Sequence, residues 1–304
     1  MEKIVITTTT FGEYDETPLE LLSGFEVIKN PYRRKLSSVE AVELARDAVG
    51  ILAGTEKLDA KAITSLPKLK VISRVGTGLD SVDCTAAERC GIRVFNTPDA
   101  PTLAVAELTV ALMLNLMRKI SFMDRRLREG KWEKCMGNLL YGRNVGIVGF
   151  GKIGKKVAEL LMAFGCKISY ADPCVDDEKA CTCLPLEEVL ASSDIVTLHA
   201  DSKERILGEK ELRLMKAGAL LLNLSRGEAV NYGALAALLK EGHLAGAALD
   251  VFPDEPYTGP LKELEQVILT PHIGSYAMEC RVQMEIAAVK NLLEGLGARK
   301  KVKP

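Results

Sequence analysis

Short apolar runs alternate with helical patterns from one end of the 304-residue chain to the other. No other feature restricts the fold as much. A strand–helix–strand rhythm builds parallel sheets with helices on both faces, which is the α/β class. In the first third, strands are expected at Ile4–Thr7, Val49–Ala53, Val71–Val75 and Arg93–Phe95, separated by helical stretches such as Ser38–Arg46. Two prolines in Asn96-Thr-Pro-Asp-Ala-Pro101 interrupt the series, because proline continues neither a helix nor a strand ladder. The apolar stretch Leu103–Met117 follows, fifteen residues of which only Glu107, Thr109 and Asn115 are polar. A bilayer span takes ~20 residues, so this one is expected to be a helix buried on most sides. From Tyr141 a second series begins. Its six strands are expected at Val145–Val148, Lys167–Ala171, Ile195–His199, Leu220–Leu224, Ala247–Val251 and Val267–Leu269, with a last helix over Tyr276–Leu293. Six strands with intervening helices make a complete doubly wound sheet of the dinucleotide-binding type. At ~150 residues per domain, the length allows two domains.

Charge narrows the partners. Forty Lys+Arg against forty-one Asp+Glu leave a net charge of -1, which lacks the electrostatic footprint of a nucleic-acid or acidic-membrane binder. Aromatic residues make up only 5%, too few for a base-stacking surface. Met1–Thr10 holds the three-residue apolar run Ile4–Ile6 and then threonines, unlike the apolar core of a secretory signal. Eight cysteines follow no small-domain disulfide spacing, so reduced thiols in the cytoplasm are expected. Cys174, Cys181 and Cys183 have neither a histidine nor a CxxC pair beside them, and no metal site is expected there. The basic tail Arg299–Lys303 reads as a solvated terminus. Small molecules are the expected partners, with no nucleic acid and no membrane.

Asn144-Val-Gly-Ile-Val-Gly-Phe-Gly-Lys-Ile-Gly154 places Gly149, Gly151 and Gly154 in GxGxxG spacing. The pattern alone is weak. Here it follows an apolar strand, opens the helical run Ile153–Phe164, and precedes a strand ending in Asp172, 23 residues after Gly149. That context makes it a dinucleotide signal. Gly149 permits the tight turn, Gly151 lets backbone approach a pyrophosphate, and Gly154 lets helix and strand pack closely. The pyrophosphate sits on the amides of the helix N-terminus. Asp172 can accept from a ribose diol and repels a 2′-phosphate, which favours NAD over NADP. The competing reading is a glycine-rich turn with no ligand.

Three further strand ends carry ionisable residues: Arg226 after the fourth strand, Glu255 after the fifth and His272 after the sixth. Carboxyl ends of such strands line the ligand crevice. Reversible ketone reduction needs this set. A cation holds the substrate carboxylate and polarises the carbonyl, a histidine donates the proton as hydride arrives, and an acid keeps that histidine charged. The competing reading is three independently solvated loop charges. Of the other histidines, His199 ends the third strand and could only line the crevice, while His243 suits capping or packing.

At these residues the chain resembles the D-isomer-specific 2-hydroxyacid dehydrogenases, and among them the D-3-phosphoglycerate dehydrogenase-like branch. Arg74-Val-Gly-Thr-Gly-Leu-Asp80, the Gly149–Gly154 loop, Ser225-Arg-Gly227, Gly246–Pro256 and Thr270-Pro-His-Ile-Gly274 carry the likeness. The resemblance implies two doubly wound parallel-sheet domains. A smaller flavodoxin-like substrate domain spans 1–97 and is completed by 276–304. A Rossmann-type NAD domain spans 98–275 and includes a dimer arm at about 103–142, which implies a homodimer. Arg226, Glu255 and His272 take the catalytic roles. NAD contacts fall on Gly149, Gly151, Lys152, Ile153, Gly154, Asp172, Ala200, Leu224 and Asp250, with Thr77 near the nicotinamide. Backbone amides of the loop holding Arg74, Val75 and Gly76 bind the substrate carboxylate.

Phosphoglycerate-specific members carry an arginine where this chain has Ala53. Arg33, Arg34 and Lys57 are the cations available to compensate; otherwise hydroxypyruvate or glyoxylate is the substrate. No regulatory extension is expected after residue 304. A non-catalytic NAD(H) sensor shares the scaffold and is the alternative of a different class.

Overall fold

The computed structural model describes residues 1–175, 180–202 and 204–297, so the Arg299–Lys303 tail lies outside the described residues. The chain divides into two compact units, Met1–Pro101 with the segment from Ser275, and Thr102–Gly274.

The first unit holds β1 (Lys3–Ile6), β2 (Glu26–Lys29), β3 (Ala48–Ala53), β4 (Val71–Arg74) and β5 (Arg93–Phe95) in one sheet of order β2-β1-β3-β4-β5. Every pairing is parallel. This is the flavodoxin-like order, whose direction reverses between β1 and β3. The centre of the sheet is apolar on both faces, and all six residues of β3 are buried. Strand β2 was not expected. It has only Val27 and Ile28 as apolar residues and sits half-exposed at the edge, so its run is too short to register as a strand. Helix Ser38–Ala45 starts at a capping box in which Ser37 and Glu40 satisfy each other's backbone amides. The last helix, Met278–Gly295, packs on this sheet: Ser73 Oγ donates to the Ala288 carbonyl at 2.8 Å.

The second unit contains β6 (Asn144–Val148), β7 (Lys167–Ala171), β8 (Thr182–Cys183), β9 (Ile195–Leu198), β10 (Ala219–Asn223), β11 (Leu244–Leu249) and β12 (Val267–Leu269). They form a seven-stranded parallel sheet of order β12-β11-β10-β9-β6-β7-β8. The expected six-strand sheet is thus corrected to seven. The extra strand, β8, is two exposed residues paired to Ser169 and Tyr170. Two residues carry no periodicity. The sheet reverses direction between β6 and β9, the Rossmann switch point.

Helix Pro101–Arg118 also differs from expectation. It is eighteen residues long, long and apolar enough by length and composition to cross a membrane, and 44% of that window is buried. Val105, Ala106, Val110, Met113 and Met117 pack in one core with Val145, Ile147 and Leu222 of the sheet, whereas Leu103 is exposed. Burial on one face replaces the expected burial on most sides. Each large apolar side chain fully buried there contributes about 1.5–3 kcal/mol, which fixes the helix on the sheet. Lys119 turns left-handed at φ 54° and leads into helix Ile120–Arg128.

Candidate active site

The β6/β9 switch point forms a nucleotide cradle. Gly149 leaves β6 at φ +91°, and a Cβ there would lie 2.4 Å from the Ala200 amide nitrogen that follows β9. Only glycine fits both the angle and the approach. Gly154 lies against the Gly149 carbonyl, where a Cβ would come within 2.3 Å, whereas nothing lies within 4 Å of the Cβ position on Gly151. Gly151 begins helix Lys152–Ala163 with no capping side chain. The helix therefore presents its positive end over an open backbone, which fits a pyrophosphate.

Asp172 follows β7. Its Oδ2 accepts from the Phe150 amide at 2.6 Å and its Oδ1 from the Cys174 amide at 2.7 Å. The carboxylate holds the glycine loop in place, and each oxygen keeps a further lone pair for a ribose hydroxyl. Leu224 is buried in the core of this unit.

The carboxyl ends of β10, β11 and β12 are bound into one edge. Asn223, fully buried at the end of β10, donates from Nδ2 to the Arg226 carbonyl at 2.9 Å and accepts from Ser225, shaping the turn that carries Arg226. Tyr232 donates to the Val251 carbonyl at 2.5 Å and tethers β11 to that turn. At Gly227 a Cβ would come within 2.0 Å of the Phe252 carbonyl carbon, so the two turns are in backbone contact.

Asp250 is 2% exposed. It accepts from Thr270 Oγ1 at 2.6 Å and from the amides of Ile273 and Gly274 at 2.8 Å. Burial pushes its carboxyl up, and the Thr270 hydroxyl and the loop amides oppose that shift. Asp250 therefore fixes the loop that carries His272.

His272 adopts φ +54° between Pro271 and Ile273. Its Nδ1 lies 3.0 Å from both carboxylate oxygens of Glu255, whose Oε1 also accepts from the Phe252 amide at 3.2 Å. That contact commits Nδ1 to the acid and leaves Nε2 as the nitrogen able to meet a substrate oxygen. Among these carboxyl ends, the structure brings Glu255 and His272 into direct contact. Arg226 instead pairs with Asp201, Nη2 to Oδ1 at 2.7 Å.

Asp201 and Asn223 were not among the expected site residues. Asp201 stands just past β9, the same kind of address that singled out Arg226, so the signal was present. Asn223 ends a strand and begins a turn, where asparagine favours local backbone bonding. His199 is no proton donor: burial holds its imidazole down to about 3, with Nε2 2.9 Å from Thr197 Oγ1. His243 contributes its carbonyl to the Gly218 amide at 2.7 Å. Among the described residues, no group of three His, Cys, Asp or Glu could hold a metal.

In the first unit, the Val75 amide donates to the Ala53 carbonyl at 2.9 Å and the Gly76 amide to Thr97 Oγ1 at 2.8 Å. Gly76 adopts φ +146° with the Arg74 guanidinium against it, where a Cβ would clash. Asn96 anchors the Thr77 carbonyl at 2.6 Å. Of the cations considered for a phosphate, Arg33 pairs with Glu13 and Arg34 with Glu40 at 2.6 Å, while Lys57 is exposed.

Known proteins match this arrangement. Residues 110–274 fit the model of the D-isomer specific 2-hydroxyacid dehydrogenase NAD binding domain. A glyoxylate reductase of Thermococcus litoralis is 41% identical over 256 residues, covering 79% of this chain and 77% of that protein. A D-3-phosphoglycerate dehydrogenase of Synechocystis is 33% identical and covers 99% of this chain, though this chain spans only 56% of it. The solved TT0316 protein of Thermus thermophilus superposes with a TM-score of 0.90 at 36% identity, covering 99% of both chains. The chain belongs to the D-isomer-specific 2-hydroxyacid dehydrogenases, NAD-dependent oxidoreductases acting on the CH–OH group of small 2-hydroxy acids.

Proposed function

We propose that the protein reduces a small 2-keto acid with an uncharged tail, glyoxylate or hydroxypyruvate, to the D-2-hydroxy acid. The observation that carries this reading is the His272 Nδ1 contact to both Glu255 oxygens at 3.0 Å, on an edge shared with Arg226. The relative from Thermococcus litoralis, named for glyoxylate reduction, supports the substrate. So does the engagement of Arg33 and Arg34 by their own acids.

Bound NADH supplies the hydride. The Gly149–Gly154 loop and helix Lys152–Ala163 would hold its pyrophosphate, Asp172 would accept from its adenosine ribose, and Ala200 and Leu224 would contribute to the same site. Arg226 holds the substrate carboxylate and polarises the keto oxygen. His272 donates the Nε2 proton to that oxygen, and Glu255 stabilises the charged imidazole that precedes transfer. Asp250 acts by holding the His272 loop.

The enzyme is a cytoplasmic homodimer. Its eight cysteines, none of them in a disulfide, suit a reducing compartment. Trp132, 80% exposed, and Met136, 90% exposed, lie with exposed Leu139 and Tyr141 in the segment after helix Ile120–Arg128. Such an apolar surface suits a second copy.

The test is NADH oxidation against glyoxylate, hydroxypyruvate, pyruvate and 3-phosphohydroxypyruvate. Turnover of the first two well above the last supports the reading, and turnover of none of them removes it.

A further inference from the structure

Tyr232 opens helix Tyr232–Lys240, just past the turn that carries Arg226, and is 8% exposed. A buried phenol needs partners for its proton and its lone pairs. Its Oη accepts from Asn223 Nδ2 at 3.3 Å and donates to the Val251 carbonyl at 2.5 Å. Burial pushes the phenol up, so the hydroxyl keeps its proton and stays a donor.

The Val251 carbonyl and the Phe252 amide belong to one planar peptide group. What Tyr232 gives to one side of it therefore polarises the other. The Phe252 amide donates to Glu255 Oε1 at 3.2 Å, and that oxygen lies 3.0 Å from His272 Nδ1. The donors run in a single direction, from Asn223 to Tyr232, from Tyr232 to the Val251–Phe252 peptide, and from the peptide to Glu255. Successive bonds in such a buried chain strengthen one another. Every member of it belongs to the Thr102–Gly274 unit.

The rings hold the same arrangement. Phe252 stacks on Tyr257 with centroids 4.6 Å apart, and Tyr232 lies tilted against both, its centroid 6.0 Å from Phe252 and 6.1 Å from Tyr257. Phe252 and Tyr257 stand on either side of Glu255 in the chain, so these contacts secure both ends of the turn that carries the acid.

We propose that Tyr232 is a positioning residue for proton transfer, its hydroxyl holding the Val251–Phe252 peptide so that Glu255 stays aligned with His272. This inference rests on the reductase reading, in which His272 gives the proton, and adds the residue that steadies its acid. Asn223 keeps its own bond to the Arg226 carbonyl at 2.9 Å. Loss of the hydroxyl therefore falls on the Glu255 side and spares the turn that binds substrate.

The experiment measures kcat and KM for glyoxylate, with NADH, in the wild type, Tyr232→Phe, Glu255→Ala and the double variant. Phenylalanine keeps the ring contacts and removes one hydroxyl. The Glu255 side chain is 41% exposed, so its truncation opens no core. Tyr232→Phe should lower kcat about 5- to 10-fold, the scale of one hydrogen bond, with KM held within about 2-fold. In the Glu255→Ala background the same substitution should change kcat by less than about 2-fold, because the group it acts through is gone. A purely structural tyrosine would lower kcat equally in both backgrounds, and one serving the Arg226 turn would raise KM. Either result overturns the proposal, as does an unchanged kcat.

If the wild type reduces none of the keto acids, the reductase reading fails. In that case, or should Tyr232→Phe not fold, NMR of isotope-labelled tyrosine Cζ judges Tyr232 separately. Glu255→Ala removes the acceptor at the far end of the chain, so the Tyr232 resonance should move while that of Tyr170, stacked on Phe150, stays. A Tyr232 resonance that does not move overturns the proposal.

Discussion

His272 holds a left-handed backbone at φ +54°, a conformation that costs a non-glycine residue of order 1–3 kcal/mol and persists only where surroundings impose it. Here the imposing groups are Asp250, which takes the amides on the far side of the turn, and Glu255, which takes Nδ1. Strain and hydrogen bonding thus aim one nitrogen. Arg226 is in a different condition. Its guanidinium is paired with Asp201, whose side chain is 78% exposed, and a substrate carboxylate has to compete with that acid. Asp201→Asn should therefore lower KM for the keto acid by about 3- to 10-fold, the scale of an exposed ion pair given up on binding, while kcat changes little. Steady-state kinetics decide it. An unchanged KM would mean that Arg226 does not receive the substrate carboxylate.

The turns after β10 and β11 act as one element because they touch through backbone. Gly227→Ala would drive a Cβ into Phe252, so thermal unfolding should show a loss of at least about 1–3 kcal/mol, with kcat falling as the Arg226 turn shifts. A variant as stable and active as the wild type would show that the two turns move independently. At the end of β9, burial holds His199 down to about 3, against 6.5 for an unburied imidazole. Between those values the unfolded chain binds a proton that the native protein does not, so stability falls as pH drops below about 6.5. This group alone should remove about 2 kcal/mol between pH 7 and pH 5. In denaturant titrations His199→Asn should show a correspondingly shallower pH dependence, and equal slopes would mean the imidazole reaches solvent. The central strands were legible in the sequence because buried parallel strands are continuous apolar runs. Edge strands β2 and β8 were not: a half-exposed strand of four residues and an exposed one of two leave no such run. The glycine loop, Arg226, Glu255 and His272 were legible from residue type at strand ends. Asp201's grip on Arg226 and Asn223's hold on its turn depend on where loops fold back, which spacing does not encode.

For the molecule, two doubly wound sheets mean two switch points, one in each unit. The family likeness spans both units, since TT0316 covers 99% of the chain, while the domain match at residues 110–274 falls within the nucleotide-binding unit. The chemistry claimed for the whole rests on one proton donor. The most direct test is the rate of NADH oxidation with glyoxylate in the wild type and in His272→Ala, with NADH binding followed by fluorescence in both. Proton donation by His272 predicts wild-type turnover and a loss of about 10²-fold or more in kcat in the variant, with NADH affinity retained. A variant that reduces glyoxylate as fast as the wild type would contradict it.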